Sequence, residues 1–309
     1  MKCASKVVVF DLDETLGYYT EFGMFWDALN AYITNNVTNE TNETNVTNVT
    51  KDTNNQHLFN KLLDLYPEFH RPNIFQILNY LKQKKTAKSC DKLMIYTNNQ
   101  GPYSWVQQIK TYFETKLKYE LFDQVINAFK VNGKQVEVCR TSHMKSHKDL
   151  ISCTKIAEDT DICFLDDKYH PGMSNDKIYY INIKPYIHDL SFDEMIERFE
   201  KSNIMFLEGP FKPFMLNFLK NYNYTFTEKT KEAQNVDKIL SKKIMSHMHI
   251  FFDKFNAKYN AKYNAKYNAK YNAKYNANPK NNKSKTKTNK KIRNRTRTRT
   301  RNHEQPNMS

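Results

Sequence analysis

The chain has no Cys-x-x-Cys spacing. Its five cysteines, Cys3, Cys90, Cys139, Cys153 and Cys163, are odd in number and scattered. That pattern argues against a disulfide framework and against a zinc site, and it favours a reducing compartment. Cys153 and Cys163, flanking an apolar run, read as small buried apolar residues. No apolar stretch approaches a membrane span. A signal-peptide pattern is also missing, because Val7–Phe10 is short and runs straight into acids. These absences predict an intracellular protein, cytoplasmic or nuclear, with no membrane partner. An excess of charge on the main body is lacking too. Of the 48 Lys and Arg, 16 lie from Asn256 onward against one acid, so residues 1–255 carry 32 charges of each sign. The net +15 belongs to the C-terminal segment.

Three stretches are poor in core-forming residues. Asn36 to Asn55 repeats Asn-x-Thr with period three, which formally makes glycosylation sequons. Without a signal peptide it reads instead as a disordered surface insertion. Residues 256–278 repeat Asn-Ala-Lys-Tyr, setting Tyr259, Tyr263, Tyr267, Tyr271 and Tyr275 four apart. That is either a stacking stripe for single-stranded nucleic acid or an expanded tract with no selected structure. Residues 279–309 are dense in Lys and Arg and are expected to be disordered. Such runs bind phosphate backbones non-specifically, direct nuclear import, or only aid solubility. The remaining chain divides into residues 1–202, a catalytic-domain candidate, and 203–255, a helical and aromatic extension.

Within 1–202, strand and helix signals alternate. Strands are predicted at Val7–Phe10, Leu93–Tyr96, Gln124–Ala128, Ile162–Leu165 and Ile178–Ile183. Helices are predicted at Phe25–Ile33, Gln56–Leu65, from Pro72 through Leu81, at Pro102–Leu117, Ser146–Cys153 and Phe192–Phe199. The alternation predicts an α/β fold: a mostly parallel Rossmann-like sheet with helices on both faces. In such sheets, ligands bind at the carboxyl ends of the strands.

Polar clusters fall at those ends. Val7-Val8-Val9-Phe10 runs into Asp11-Leu12-Asp13-Glu14-Thr15-Leu16. Thr97-Asn98-Asn99-Gln100-Gly101 follows the second strand. Lys145 and Lys148 flank the start of a helix, and Asp166-Asp167 follows the fourth strand. Two acids at spacing two after a buried strand suit a divalent cation and a phosphate, with one acid as nucleophile and the other as general acid/base. His143, His147 and His170 lie nearby and read as surface or hydrogen-bonded histidines more readily than as metal ligands. Tyr18, Tyr19, Phe22, Phe25 and Trp26 form either a flap over the cleft or plain core.

In this order, Asp-x-Asp-x-Thr, strand-Thr, Lys and strand-Asp-Asp resemble the four motifs of the haloacid dehalogenase superfamily, over roughly residues 5–200. Glu14, Arg71-Pro72 and Lys148-Asp149-Leu150 are most similar to the branch of RNA polymerase II C-terminal-domain (NLI-interacting-factor-like) phosphatases. Thr97-Asn98-Asn99-Gln100 and Asp166-Asp167-Lys168 depart from that branch.

The resemblance implies a phosphoric monoester hydrolase working through an aspartyl-phosphate. Asp11 would be the nucleophile and Asp13 the general acid/base. Mg²⁺ would be held by the Asp11 carboxylate, the Asp13 backbone carbonyl and a fourth-motif acid, Asp167 before Asp166. Thr15, Thr97 and Asn98 would contact the substrate. Lys145 and Lys148 compete for the motif lysine, and Lys145 is better placed to reach the cleft. With no large cap between Gly101 and Lys145, the implied substrate is a phosphorylated macromolecule, phosphoprotein first. The alternatives are removal of 3′-phosphates from polynucleotides, or a vestigial fold whose basic tail binds nucleic acid.

Overall fold

The computed structural model describes residues 5–37, 48–207 and 209–255. The Asn-Ala-Lys-Tyr repeat and the basic C-terminal run lie outside them. Fifteen strands and α-helices follow in order, besides three short 3₁₀ turns. They are β1 (Lys6–Phe10), α1 (Thr20–Val37), α2 (Asn48–Asp64), α3 (Ile74–Thr86), β2 (Lys92–Tyr96), α4 (Tyr103–Leu117), β3 (Gln124–Ile126), β4 (Lys130–Val131), β5 (Lys134–Gln135), α5 (His147–Thr154), β6 (Asp161–Asp166), β7 (Ile178–Asn182), α6 (Phe192–Ser202), α7 (Phe211–Leu219) and α8 (Lys231–Lys254).

Five strands form one sheet in the order β3-β2-β1-β6-β7, and every pairing in it is parallel. The α/β expectation is met. All carboxyl ends therefore share one edge, and the strand order reverses between β1 and β6, where ligands of such sheets bind. The strands are β-branched and aromatic runs, buried on both sides as central parallel strands must be.

The two faces are covered unequally. Val8, Phe10, Leu93, Ile95, Cys163, Leu165, Tyr179 and Ile181 join a large core with residues of α1–α4 and α6–α8. Val7, Val9, Met94, Tyr96, Ile162, Phe164, Ile178 and Tyr180 form a smaller cluster with Leu150 and its neighbours in α5, Ile156 just beyond it and Met173 in a 3₁₀ turn. The expectation of helices on both faces holds, but one side has seven and the other a single eight-residue helix.

Several boundaries shift. The Asn-x-Thr stretch was expected to be wholly outside regular structure. Its ends instead belong to α1 and α2, while residues 38–47 lie outside the described residues. α2 is anchored by Phe59, Leu62 and Leu63 in the large core, which carries the helix back through polar residues of low intrinsic preference. The 203–255 extension packs into the same core through Met215, Leu219, Met248 and Phe251. Lys6 at the start of β1 caps the end of α8 by donating to the Phe251 and Phe252 carbonyls at 2.8 and 2.9 Å. A small antiparallel hairpin, β4–β5, was not anticipated, although its Asn132-Gly133 turn with φ of 52° and 78° is a strong hairpin signal. Tyr19, Phe22, Phe25 and Trp26 are core residues, so the flap alternative is set aside for them. No described helix is long and apolar enough to cross a membrane.

The cysteine reading needs correction. Cys139 and Cys153 form a disulfide, while Cys90 and Cys163 are free and buried. Scatter along the chain hid a pair that the turn before α5 brings together.

Candidate functional site

Side-chain parity decides which face carries the polar groups. Val7 and Val9 point to the thinly covered face, and Asp11, next in that register, follows them. Ile162 and Phe164 do the same in β6, and Asp166 follows them. Lys145 comes from the turn before α5 to meet both. Its Nζ donates to Asp11 Oδ1 and Asp166 Oδ2, each at 2.6 Å, and lies 5.6 and 5.9 Å from the ring centres of Tyr96 and Phe164. Lys145 is fully buried. Lys148, the second residue of α5, is exposed, so of the two candidates only Lys145 is brought to the carboxylates. The difference is positional: Lys145 precedes the Ser146 N-cap, where the chain still faces the strand ends.

Asp167 completes a group of three. Asp11, Asp166 and Asp167 each offer a carboxylate oxygen, all within 4.8 Å of one another, and all three residues are buried. Their remaining hydrogen bonds differ. Asp166 Oδ1 accepts from the Lys168 backbone N–H at 2.8 Å, and its Oδ2 faces His170 Nε2 at 3.3 Å besides Lys145. Asp167 Oδ1 accepts from the Thr15 hydroxyl at 3.4 Å, but its Oδ2 is buried with no hydrogen-bond partner. Asp167 is thus the member of the group with a buried, unused carboxylate oxygen.

Three buried carboxylates share one buried ammonium in direct contact, with Lys168 and Arg71 acting on Asp167 without a hydrogen bond to it. Burial pushes the Asp11 carboxyl up, Lys145 pulls it down, and Asp166 and Asp13 push it up again, to about 7. Asp167 is raised well above the carboxylate range by burial and by Asp11 and Asp166. At Asp166 burial also raises, but Lys145 and His170 outweigh it and hold the group low. Burial alone would lower the Lys145 ammonium, and Asp11 and Asp166 reverse this. Three clustered carboxylates, one with an orphaned oxygen, are hard oxygen donors that fit a small divalent cation such as Mg²⁺. Asp13, expected to ligate through its backbone carbonyl, has its side chain outside this group, free for the acid/base role. Its Oδ2 accepts from Asn99 Nδ2 at 2.9 Å.

Two buried arginines hold the loops that carry these groups. Arg71 donates to the carbonyls of Thr15 (2.6 Å), Glu14 (2.6 Å) and Lys184 (2.9 Å), locking the turn after β1 to the segment after β7. That turn runs Glu14 at φ 62° and closes through the Glu14 N–H to Gly17 carbonyl bond. Gly17 is required there, since a Cβ would sit 2.5 Å from the Phe69 carbonyl oxygen. Arg140 stacks on Tyr96 at 4.7 Å and donates to the carbonyls of Thr97, Asn127 and His143 and to Asn98 Oδ1. Thr97 is buried directly after β2. Its Oγ1 accepts from the Asn99 N–H at 2.9 Å, and Asn99 Oδ1 accepts from the Gly101 N–H at 2.8 Å.

Asp11, Asp166, Asp167, Lys145 and Thr15 therefore converge directly, and Asp13, Thr97 and Asn98 join through Asn99 and Arg140. Sequence reading missed Arg140 and gave Asn99, quoted in the second cluster, no role; His170, read as a hydrogen-bonded histidine, is buried beside Asp166. Asn99 had a signal, being an Asx residue able to bond its own loop two residues on. Arg140 had none, because its partners are carbonyls from distant segments. His143 is exposed, and His147 is half-buried at the start of α5. No family model, curated protein or solved structure matches this chain.

Proposed function

We propose that the chain is a Mg²⁺-dependent phosphatase of the haloacid dehalogenase type, hydrolysing phosphoric monoesters through an aspartyl-phosphate on Asp11. The observation carrying this reading is the Asp11–Lys145–Asp166 bridge at the switch point of a parallel sheet, with the orphaned Asp167 oxygen beside it. Asp11 and Asp167, with Asp166 adjacent, would hold the cation. Bound Mg²⁺ offsets the charge of the phosphoryl group that a carboxylate must approach.

Asp11 supplies the attacking oxygen, with Lys145 steadying its Oδ1. As the oxygen–phosphorus bond forms, the ester bond breaks and Asp13 gives its proton to the leaving oxygen. Asp13 then takes a proton from water, which attacks phosphorus, releases inorganic phosphate and frees Asp11. Asn99 orients Asp13 for both transfers. The Thr97 hydroxyl and the Lys145 ammonium face charge developing on the transferred group, in a site dry enough to strengthen them. Asn98, fixed by Arg140, and Thr15 border the same space.

Phosphoprotein is the favoured substrate class, because α1–α3, which follow the first motif, contribute to the large core, and α4, β3 and the small hairpin fill the stretch up to Lys145. No separate cap domain is present among the described residues. The test is phosphate release by the full chain, with Mg²⁺ or with chelator, from p-nitrophenyl phosphate, phosphoserine peptides and 3′-phosphorylated oligonucleotides. Mg²⁺-dependent release that Asp11→Asn abolishes is expected. Faster turnover of the oligonucleotide would move the substrate class to polynucleotide ends. Release from none of the three, or equal release by Asp11→Asn, overturns the reading.

A further inference from the structure

We infer that the Cys139–Cys153 pair is a thiol–disulfide exchange site whose oxidation state governs how firmly Lys145 is held at the carboxylates. The inference rests on the phosphatase reading for its effect on turnover, and on geometry alone for its effect on the loop.

The bond joins the residue before Arg140 to the last turn of α5, fourteen residues on. The ring it closes contains both Arg140 and Lys145. Between Cys139 and the Ser146 cap the chain has no helix or strand. Its internal bonds stay within the ring: Thr141 N–H and Oγ1 donate to the Asp149 carboxylate at 3.1 and 2.9 Å, and Ser146 Oγ accepts from the Asp149 N–H at 3.1 Å. The ring is therefore one unit, tied to the sheet edge by Arg140, Lys145 and the Leu150 packing. It is also the only helix-bearing cover of that face among the described residues. Opening the ring removes the covalent tie between the two ends of the segment that presents the ammonium, leaving the Gln124 Nε2 bond to the Cys153 carbonyl and the Arg140 bonds to hold them.

The pair is reachable. Both cysteines are half-buried, and Val138 beside them is 84 % exposed. The other two described cysteines are shielded. Burial pushes the Cys90 thiol up to about 12 and Cys163 well above its ordinary value, so neither competes as a thiolate. The reductant is a dithiol. One of its thiolates attacks a sulfur of the bond, the S–S bond breaks, and the other cysteine leaves as a thiolate and takes a proton. The second thiol then attacks the mixed disulfide and releases the remaining cysteine. Two electrons and two protons pass to the protein, and the dithiol becomes a disulfide.

The test compares the full-length protein before and after dithiothreitol, with Cys139→Ser/Cys153→Ser as the permanently open form. In the untreated protein, alkylation and peptide mapping should recover Cys139 and Cys153 cross-linked. Reduction should raise amide exchange in residues 140–150 while leaving β1 unchanged. It should also lower kcat/KM for p-nitrophenyl phosphate by ~10-fold, as expected when a positioned group loses its frame. The double variant should match the reduced protein and ignore dithiothreitol. Free alkylation of both cysteines in the untreated protein, or exchange in 140–150 that reduction leaves unchanged, overturns the inference. Phosphate release that reduction does not alter overturns it while sparing the phosphatase reading. No release in either state removes that reading, and amide exchange still judges the ring.

Discussion

One face of the sheet is buried under seven helices, and the other under α5 and a turn. The thick face is apolar and aromatic. Phe22 alone meets Phe59, Tyr66, Phe69 and Trp105 ring to ring. The thin face ends, at its carboxyl edge, in Asp11, Asp166 and Lys145. Stability is concentrated where the contacts are many, and chemistry where they are few and the groups are charged. A buried ion pair is weak evidence for stability, because desolvation offsets its attraction. The Asp11–Lys145–Asp166 bridge is better understood as a device that keeps charged groups poised in a small dry space.

The sharpest way to break that contrast is at Asp11. Asp11→Asn should lower phosphate release at least ~10³-fold, about 4 kcal/mol of barrier, by removing the nucleophile. Its thermal midpoint should not fall, since the change removes one of three crowded carboxylates. A variant equally slow but also melted would mean that the site holds the fold together, and the contrast would be lost.

On the opposite face, Phe22→Ala should cost about 3–5 kcal/mol of unfolding free energy, as expected for a fully buried aromatic. Where the variant remains folded at low temperature, its turnover should stay near wild type. Urea unfolding and turnover at the same temperature would check both. A selective loss of turnover would make the thick face part of the machinery. The Cys139→Ser/Cys153→Ser variant should lose roughly 3 kcal/mol through the freed loop of the unfolded chain. That cost is measurable by the shift in urea midpoint.

Much of this was legible in the residues. β1 and β6 were visible as apolar runs, and parity within a strand carries Asp11 and Asp166 to the same side once the partners are parallel. The four polar clusters could be assigned to one edge because parallel strands share an edge. What could not be read depends on pairings between distant segments. Nothing local to Arg140 says that its donors end on Thr97, Asn127 and His143 carbonyls. Cys139 and Cys153 meet because the turn between them folds back. The unequal faces come from where α2, α7 and α8 pack, and their apolar stripes do not say which side of the sheet they choose. Asn132-Gly133 is different, since its hairpin signal was present and overlooked.

The last contrast lies within the thick face, at a buried polar relay. His70 Nδ1 lies 3.1 Å from the Tyr19 hydroxyl and Nε2 lies 3.1 Å from the Tyr112 hydroxyl. Tyr112 donates to Asp64 at 3.0 Å, so it must accept from His70. The proton is therefore on Nε2, and Nδ1 accepts from Tyr19. Burial lowers the His70 pKa from 6.5 to about 4. The folded state thus prefers the neutral ring. Its contribution is complete above pH 6.5 and is lost as pH falls from 6.5 through 4. Asp27, raised by burial to about 6, works in the opposite direction over much of this range, so wild type alone would mislead. The difference between wild type and His70→Gln isolates the histidine. Between pH 7 and pH 5 wild type should lose roughly 1–2 kcal/mol more than the variant. Parallel curves for the two proteins would mean that the ring takes up its proton without cost, and that the thick face is less dry at His70 than its packing implies.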